Sequence, residues 1–540
     1  MQDANVQSAA RSINPPVPSP PTLRTPSPAP LRRRPNVPFR TAGRIMDTAN
    51  SVSPPSRYAF TDQSIAGTWR SGRSGSSLEV RNPYTSETIA SFAKADLSDV
   101  DEAFRGAATA QPAWAQALPS QRAEVFRRAA MVMEQRHEEI VDWLIRESGS
   151  TRTKSEIEWW VVHAAMLEAS TLPSRLEGRI VDGDYPGKEN RIYRRPVGVV
   201  AVISPWNWPL HLSTRSIVPA LALGNAVVVK PAAETPVTGG LLIARIFDEA
   251  GLPPGLLGVI VGEPGEIGDA FVQHPASRVV SFTGSTRVGR HIGQMAVTAS
   301  TLKKAMLELG GNGPLVVLDD VDLDHAVHAA IVAKFLHQGQ MCIAANRIIV
   351  LDRIYDAFVE RFIAYASSLK VGDPNQVDTV IGPMVSQRQL DRVSGMIEQA
   401  RSDGARLRLG QPPRRLMLGP QVFDGVTQAM PLAQNEIFGP VAPLMRAADE
   451  AEALRMANDT EYGLTSAVLS GDSYRGERFA RQIHAGMSHV NDITAIDMPA
   501  LPFGGEKNSG LGRFGSQGMI DAFTSEHWVS IQHTRAQYPF

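Results

Sequence analysis

The sequence predicts an α/β fold organised around parallel β-sheets. From residue 197 to residue 282, short runs rich in Val, Ile and Leu alternate with helical segments, and a second alternation of this kind extends from about residues 314–318 to Val490. Strands separated by helices of this length need crossover connections, which place the strands parallel to one another. With 540 residues, of which 43% are hydrophobic, the chain also has enough apolar material for a large core.

The first 57 residues differ in composition from the rest of the chain. They contain twelve prolines, eight arginines and only two acidic residues, Asp3 and Asp47, so this segment carries a charge of +6 and the remainder a charge of -7. Proline-rich, charged sequence favours extended, solvated chain, and we predict a disordered tail over residues 1–57. A partner-binding arm, a targeting segment and translated sequence upstream of a natural start at Met46 stay open as alternatives. This much proline disfavours the amphipathic helix of a transit peptide.

Helices are predicted between the tail and the first alternation. Ser98, with Asp101 three residues later, is predicted to cap a helix that carries Val100 and Phe104 at helical spacing, and further helices run from about residue 120 to residue 175. The alternation that follows is predicted in this order: strand 197–204, helix 210–223, strand 226–230, helix 237–250, strand 256–261, helix 266–273 and strand 279–282. Two stretches, residues 177–195 and the tail after Ala522, fit neither pattern and are predicted to be arms that leave the domain.

Charge and cysteine content exclude several classes of function. Lys and Arg number 54 and Asp and Glu number 55, so there is no basic excess that would predict a nucleic-acid partner. The longest apolar stretches, such as residues 197–203, are far shorter than the roughly 20 residues of a membrane helix, and no secretory signal is recognisable. The single cysteine, Cys342, excludes an intrachain disulfide and a Cys-rich zinc site. We predict a cytoplasmic protein with no metal site and no membrane partner.

Three residues have the character of a catalytic centre. Cys342 follows Gly339 and Gln340 in a tight loop, where a thiol can be presented as a nucleophile; the alternative is a small buried apolar residue. Glu308 lies between apolar residues and is costly to bury, unless it is a surface residue at a strand end. Asn207 lies in a frame of aromatic residues and prolines, from which its amide can donate to a developing oxyanion.

Seven motifs, in order, resemble those of the aldehyde dehydrogenase superfamily. They are Pro205-Trp206-Asn207, Lys230-Pro231, Phe282-Thr283-Gly284-Ser285-Thr286 with Gly289, Glu308-Leu309-Gly310-Gly311, Gly339-Gln340-Met341-Cys342, Glu436-Ile437-Phe438-Gly439-Pro440 and Pro502-Phe503-Gly504-Gly505. The resemblance extends from about Tyr58 to the C-terminus. It implies a parallel-sheet cofactor-binding domain over residues 58–176 and 197–308, and an α/β catalytic domain over residues 309–507. It also implies a small β flap for oligomerisation, formed by residues 177–196 and 523–540, and hence a homodimer or homotetramer.

The resemblance also implies a mechanism. Cys342 attacks an aldehyde to form a thiohemiacetal, whose oxyanion is held by the Asn207 amide and the Cys342 backbone N–H. Hydride transfer then leaves a thioester, and Glu308 activates the water that hydrolyses it. A CoA-acylating relative and a non-catalytic structural role on the same fold are the alternatives. Retention of Glu308 argues against the first, and retention of the whole set of site residues argues against the second.

The cofactor that the resemblance implies is NAD or NADP. Seven residues are assigned to it by position: Trp206, Gly284, Ser285 and Gly289 around the diphosphate at a helix N-terminus, Lys230 at the adenosine ribose, and Glu436 and Phe438 at the nicotinamide end. The family often has Glu at the position of Ala233, where it disfavours NADP. Glu234 follows, and its side chain is expected to point away if the segment is extended. We therefore predict that both cofactors work, with NAD modestly favoured or the two nearly equal.

The predicted substrate is a small-molecule aldehyde. By position, the family's aldehyde tunnel is lined here by Trp208, Leu212, Arg215, Met341, Ile343 and the stretch 489–501. A Trp and a Met suit a flat apolar aldehyde, and residues 212–216 and 335–342 resemble the benzaldehyde and vanillin dehydrogenase branch. Two departures are noted: Ser216 stands where the family often has Lys, so a proton-relay role cannot be assumed there, and Gly313 replaces a slightly larger residue without expected consequence.

Overall fold

The computed structural model describes residues 57–540, which build two large β-sheets, a third small sheet and flanking helices. The predicted tail lies outside the described residues, apart from Arg57. The α-helices are α1 (Leu97–Gln116), α2 (Pro119–Gln135), α3 (His137–Ser148), α4 (Arg152–Ala169), α5 (Pro209–Ala222), α6 (Leu242–Glu249), α7 (Pro264–Gln273), α8 (Thr286–Thr298), α9 (Leu323–Phe335), α10 (Asp352–Ser367), α11 (Gln387–Ser402), α12 (Pro431–Gln434), α13 (Glu450–Asn458), α14 (Ser473–Ala480) and α15 (Ser516–Phe523).

Strands form the sheets and several short ribbons. They are β1 (Gln63–Ile65), β2 (Thr68–Arg70), β3 (Ser77–Arg81), β4 (Thr88–Ala93), β5 (Arg179–Asp182), β6 (Lys188–Pro196), β7 (Val199–Ile203), β8 (Ala226–Lys230), β9 (Leu257–Val259), β10 (Ser277–Thr283), β11 (Lys304–Glu308), β12 (Gly313–Val317), β13 (Ala345–Leu351), β14 (Arg406–Leu409), β15 (Gln421–Asp424), β16 (Val441–Ala447), β17 (Tyr462–Gly463), β18 (Thr465–Leu469), β19 (Met487–Val490), β20 (Glu506–Lys507), β21 (Gly510–Leu511) and β22 (Thr524–Gln532).

The first large sheet has six strands in the order β21-β11-β10-β7-β8-β9. Strands β7 to β11 pair in parallel, as the alternation predicts, and β21 adds an antiparallel edge next to β11. The strands read as nearly continuous apolar runs because helices cover both faces of a parallel sheet. One core cluster runs from Phe60 to Leu309 and also takes in residues of the C-terminal helix α15.

Two local details differ from the sequence prediction. Helix α1 is capped by Asp96 rather than by Ser98: the Asp96 side chain accepts from the Asp99 backbone N–H, and the Asp99 side chain accepts from the Asp96 N–H. The predicted helix over 237–250 begins with a π-helical turn, Val237–Leu241, before α6. Glu147 of α3 accepts hydrogen bonds from the first N–H groups of that turn, at 2.8 Å from Val237 and 2.7 Å from Thr238, so it satisfies donors that a helix start leaves unpaired.

The second large sheet has seven strands in the order β14-β15-β16-β13-β12-β18-β19. Its pairs are parallel apart from β14 with β15 at one edge. Apolar side chains fill both of its faces, forming a separate core cluster on each. The sheet therefore has the same layered construction as the first one, with helices on both sides.

The two stretches that fit neither alternation pair with each other. Strand β6 lies between β5 and β22 in a three-stranded antiparallel sheet, in which Thr524 to Gln532 pair with Pro196 to Lys188. Large apolar side chains stand exposed on these strands, among them Ile180 at 75% and Trp528 at 66%. Over residues 57–540, no helix has the length and apolar composition needed to cross a bilayer.

Candidate active site

A cavity of about 1410 Å³ lies at the carboxyl ends of β7, β8 and β10. Ligands bind at this end of the strands in open α/β sheets. Segments that follow the strands of the first sheet form one wall, and residues from the second alternation form the other. Of the residues predicted from the sequence, those lining it are Trp206, Asn207, Leu212, Lys230, Gly284, Ser285, Cys342, Glu436 and Phe438. Glu308, Gly289, Trp208, Arg215, Met341 and Ile343 lie outside this lining.

A sharp turn between α9 and β13 presents Cys342. His337, Gln338 and Gly339 have positive φ angles of 50°, 56° and 69°, so the chain reverses before it reaches the thiol. A side chain at Gly339 would come within 2.3 Å of the Gly439 carbonyl oxygen, which explains the glycine. Burial and the negative charges of Glu308 and Glu436 raise the pKa of the Cys342 thiol well above its usual value, so the resting thiol is protonated.

Asn207 is hydrogen-bonded to the loop that carries Cys342. It lies between β7 and α5, is buried, and donates from Nδ2 to the Gln340 carbonyl oxygen at 3.0 Å. The Gln340 side chain is itself fixed, since its Oε1 accepts from the Val385 N–H at 3.1 Å. An amide nitrogen carries two hydrogens, so one remains to be donated elsewhere.

Glu308 is fully buried at the end of β11. Burial raises its pKa to about 7, while the charge and hydrogen bond of Arg215 act in the opposite direction. The Arg215 Nη2 lies 3.1 Å from Glu308 Oε2, and its Nη1 lies 3.3 Å from Asp497 Oδ2. A carboxyl group with such a pKa exchanges protons near neutral pH, as a general base must.

The sequence did not identify Asp497 or His211 as partners of this centre. His211 Nε2 lies 2.8 Å from Asp497 Oδ2, and the His211 backbone N–H donates to Glu158 at 3.0 Å. Arg215 and the stretch 489–501, which contains Asp497, were both predicted to line the aldehyde tunnel, but no ion pair between Arg215 and Asp497 was predicted, and the two residues lie 282 positions apart.

The outer end of the cavity contains Lys230. Burial lowers its pKa to about 8, and the nearby charges of Glu263 and Glu234 act against that shift. The condition under which Glu234 was expected to point away, an extended segment, is not met, because the chain turns after β8 and Glu234 lines the cavity together with Ala233. Its Oε1 lies 3.4 Å from the Arg388 guanidinium.

The middle of the cavity contains the N-terminus of α8. Ser285 precedes this helix and Gly284 lines the cavity beside it, so backbone N–H groups face the cavity as an anion site requires. Gly289 has a packing role: a Cβ there would lie 2.2 Å from Leu309 Cδ2. Opposite, the Trp206 and Phe438 rings meet edge to face at 5.4 Å, and Glu436 Oε1 accepts from the Gly311 N–H at 2.9 Å. A helix N-terminus, a buried Lys and a carboxylate in one long cavity fit a dinucleotide.

The predicted aldehyde-tunnel residues fall into two groups. Leu212 lines the same cavity as Cys342. Met341 is buried, the Trp208 ring lies 4.6 Å from the Lys154 Nζ, and the Ile343 carbonyl accepts from Thr494 at 2.7 Å. Arg215 contacts Glu308 rather than the cavity, so its role differs from the predicted lining role.

Comparison with known protein families identifies the family to which this chain belongs. Residues 69–529 match the family model described as "Aldehyde dehydrogenase family". The chain belongs to the aldehyde dehydrogenase family. It is 46% identical over 474 residues to a vanillin dehydrogenase of Corynebacterium glutamicum, which covers 88% of this chain and 98% of the relative. It is also 46% identical over 479 residues to a benzaldehyde dehydrogenase of Bacillus subtilis, again covering 88% and 98%.

Solved structures of the family share its fold. A crystal structure of an NAD-dependent benzaldehyde dehydrogenase from Corynebacterium glutamicum has a TM-score of 0.82 and 43% identity, and covers 89% of this chain and 98% of that one. A salicylaldehyde dehydrogenase from Pseudomonas putida, complexed with salicylaldehyde, has a TM-score of 0.86 and 35% identity over 89% and 99% of the two chains. The predicted fold class and family are confirmed.

Proposed function

We propose that this protein oxidises an aromatic aldehyde to the carboxylic acid, with NAD or NADP as the oxidant. The observation that carries the proposal is the convergence of a thiol, an amide donor and a buried carboxylate at one end of a dinucleotide-sized cavity. Cys342 lines that cavity, Asn207 hydrogen-bonds to the Cys342 loop, and Glu308 lies close enough for its charge to act on the thiol. The family assignment supports the same activity.

The first chemical step forms a carbon–sulfur bond. The Cys342 thiol releases its proton to solvent water, Sγ attacks the carbonyl carbon, and the electron pair of the C=O π bond moves onto the oxygen, which becomes an oxyanion. The second Asn207 N–H and the Cys342 backbone N–H donate to that oxygen, which stabilises the negative charge as it develops. Lys230, Ser285 and Glu436 line the part of the cavity that would hold NAD or NADP, which would supply the hydride acceptor for this oxidation. Loss of hydride from the substrate carbon re-forms the C=O bond and leaves a thioester on Cys342.

The second step breaks the carbon–sulfur bond. Glu308 takes a proton from a water molecule, the resulting oxygen nucleophile attacks the thioester carbon, and the thiolate leaves and takes the proton back from Glu308. Glu308 must be ionised for this, so hydrolysis is expected to slow as the pH falls through about 7, the value to which burial raises its pKa. A thioester passed to CoA would not need this base, and the presence of Glu308 therefore favours the hydrolytic reaction over CoA acylation.

The aromatic substrate class is proposed from the relatives. Two of those described above are named for vanillin and benzaldehyde, and Leu212 supplies apolar surface to the cavity that Cys342 lines. An aldehyde panel tested with NAD and with NADP, with and without CoA, checks the proposal. We expect higher kcat/KM for benzaldehyde and vanillin than for short aliphatic aldehydes, and free acid as the product. Preference for short aliphatic aldehydes would contradict the aromatic class, and acyl-CoA formation would contradict the hydrolytic reaction.

Cofactor choice gives a prediction at Ala233. With no carboxylate there, repulsion of the NADP 2′-phosphate is reduced, and Lys230 is available as its partner. Glu234 and Arg388, which pair with each other, also line the cavity with Lys230, and their opposite charges neither attract nor repel the 2′-phosphate strongly as a pair. We therefore expect both cofactors to be used, with NAD modestly favoured or the two nearly equal. We expect Ala233→Glu to shift the ratio toward NAD by one to two decades, or about 1.4–2.8 kcal/mol.

The cofactor measurement is kcat/KM and Kd for each dinucleotide in both proteins, at saturating aldehyde for the kinetic part. Ala233→Gln is the matched control, because it adds similar volume without a charge and should change the ratio much less. A preference of the unmodified enzyme for NAD above about a thousandfold would contradict the interpretation of Ala233, since another group would then supply the discrimination.

We also propose the domain division and a homo-oligomer. Residues 58–176 with 197–308 form the cofactor-binding part, residues 309–507 the catalytic part, and residues 177–196 with 523–540 the oligomerisation arms. Exposed apolar side chains on the three-stranded sheet, including Ile180 and Trp528, support docking to another copy of the chain. Light scattering is expected to show a dimer or tetramer. The double variant Ile180→Glu with Trp528→Glu is expected to weaken the association between subunits. A monomer at micromolar concentration would contradict this role.

A further inference from the structure

The guanidinium of Arg215 is held in a fixed position beside Glu308. The rings of Phe503 and Phe514 each have their centroid 4.4 Å from its central carbon, and Asp497 pairs with its Nη1 at 3.3 Å. Aromatic faces attract a guanidinium, which does not lose its proton in proteins. Helix α5 thus supplies a permanent and immobilised positive charge, whereas the adjacent Ser216 is uncharged and pairs with Ser281 at 2.8 Å.

The two carboxylate oxygens of Glu308 have different surroundings. Oε2 is bound by Arg215 Nη2 at 3.1 Å. Oε1 is buried and has no hydrogen-bond partner among residues 57–540. One oxygen is therefore anchored, and the other points in a defined direction and is free to accept a proton. A general base needs this combination of fixed orientation and an open lone pair.

We propose that Arg215 is the positioning residue for Glu308. It anchors one carboxylate oxygen, favours the ionised form of the carboxyl group, and leaves the other oxygen to take the proton from water, while Asp497 and the two aromatic rings hold the guanidinium in place. The inference rests on the proposed function, because it concerns the base that drives thioester hydrolysis. A buried carboxylate without such a partner would be expected to remain protonated near neutral pH.

The charged groups around Glu308 act on it with opposite signs. Arg215 from α5 and Arg513 after β21 lower its pKa, whereas Asp497 from the loop after β19 raises it. Glu308 in turn raises the pKa of Cys342. Removing the Arg215 charge should therefore move the pKa of Glu308 upward. Removing the Asp497 charge while Arg215 stays should move it downward.

The experiment measures the rate of thioester decay against pH after a single turnover in the full-length enzyme. Wild type is compared with Arg215→Met, Arg215→Lys and Asp497→Asn, with Glu308→Gln as the reference that lacks the base. For Arg215→Met we expect the midpoint of the acid limb to rise by about one pH unit or more. For Arg215→Lys we expect a midpoint close to wild type, and for Asp497→Asn a smaller shift to lower pH. Arg455→Met, an exposed residue paired with Glu452, is the control and should leave the profile unchanged.

Arg215 and Asp497 pair with each other but carry opposite charges. Opposite pH shifts of the acid limb in their variants therefore distinguish a charge effect from simple damage to the fold. If the acid limb is absent in Glu308→Gln but stays at the wild-type pH in the Arg215 variants, the positioning role is wrong while the proposed base stands. If the limb persists in Glu308→Gln, the proposed role of Glu308 itself is wrong. A shift of Arg215→Met and Asp497→Asn in the same direction also overturns the inference. Should Arg215→Met fail to fold, Arg215→Lys and Asp497→Asn still test it.

Discussion

Replacement of Cys342 by alanine is expected to lower aldehyde turnover by about a thousandfold or more. The thiol forms the covalent bond on which both chemical steps depend, and no other cysteine exists in the chain to replace it. Dinucleotide affinity is expected to stay within about threefold of wild type, because Lys230, Ser285 and Glu436, which line the same cavity, are unchanged in this variant. Steady-state kinetics and a binding titration measure the two effects separately.

Alkylation provides the matched control for this substitution. Since Cys342 is the single cysteine and is partly exposed, a thiol reagent should modify one site per chain and abolish turnover in the wild-type enzyme. The protonated resting thiol should make this reaction slow at neutral pH and faster as the pH rises. Near-normal turnover by Cys342→Ala would refute the covalent mechanism. Loss of dinucleotide binding in that variant would show instead that the substitution disturbs the cavity.

Local sequence patterns predicted the first sheet and the segments that line one wall of the cavity. Lys230 ends a buried strand, Trp206 and Gly284 each follow one, and the carboxyl ends of parallel strands share one edge, so their meeting could be inferred without coordinates. Cys342 and Glu436 precede β13 and β16 rather than follow strands, so the strand-end argument does not apply to them and only the family resemblance assigned them to the site. Hydrophobic periodicity was enough for the first wall because it gave the order of strands and helices, and that order brings the strand ends to one edge of the sheet.

Contacts that depend on side-chain direction could not be predicted in this way. The resemblance placed Arg215 and the stretch 489–501 in the same tunnel, but it did not indicate that Arg215 pairs with Asp497, which lies 282 residues later in the chain. Glu234 enters the cavity because the chain turns after β8, whereas an extended segment would have turned it outward. The cap of α1 moved from Ser98 to Asp96 because two acidic side chains exchange hydrogen bonds there. Gly289, assigned to the cofactor, is required by the packing of α8 on Leu309.

Replacement of Glu308 by glutamine is expected to separate the two chemical steps. Hydride transfer needs the thiohemiacetal, and hence Cys342 and Asn207, so a burst of reduced cofactor of about one per active site should remain. Thioester hydrolysis needs the base, and it should slow by about two to four orders of magnitude. Rapid-mixing absorbance measures the burst, and mass spectrometry of the quenched protein should find the acyl group on Cys342.

Glu436→Gln is the matched control, because burial raises the pKa of Glu436 to about 7 as well, but this carboxylate contacts Gly311 and lines the dinucleotide cavity. That variant should change the burst and leave thioester decay near the wild-type rate. Loss of the burst in Glu308→Gln would contradict the assignment to hydrolysis alone. It would mean that Glu308 also takes the proton from Cys342, a step that the raised pKa of the thiol makes chemically demanding. The size of the burst therefore decides whether one carboxylate serves one step or both.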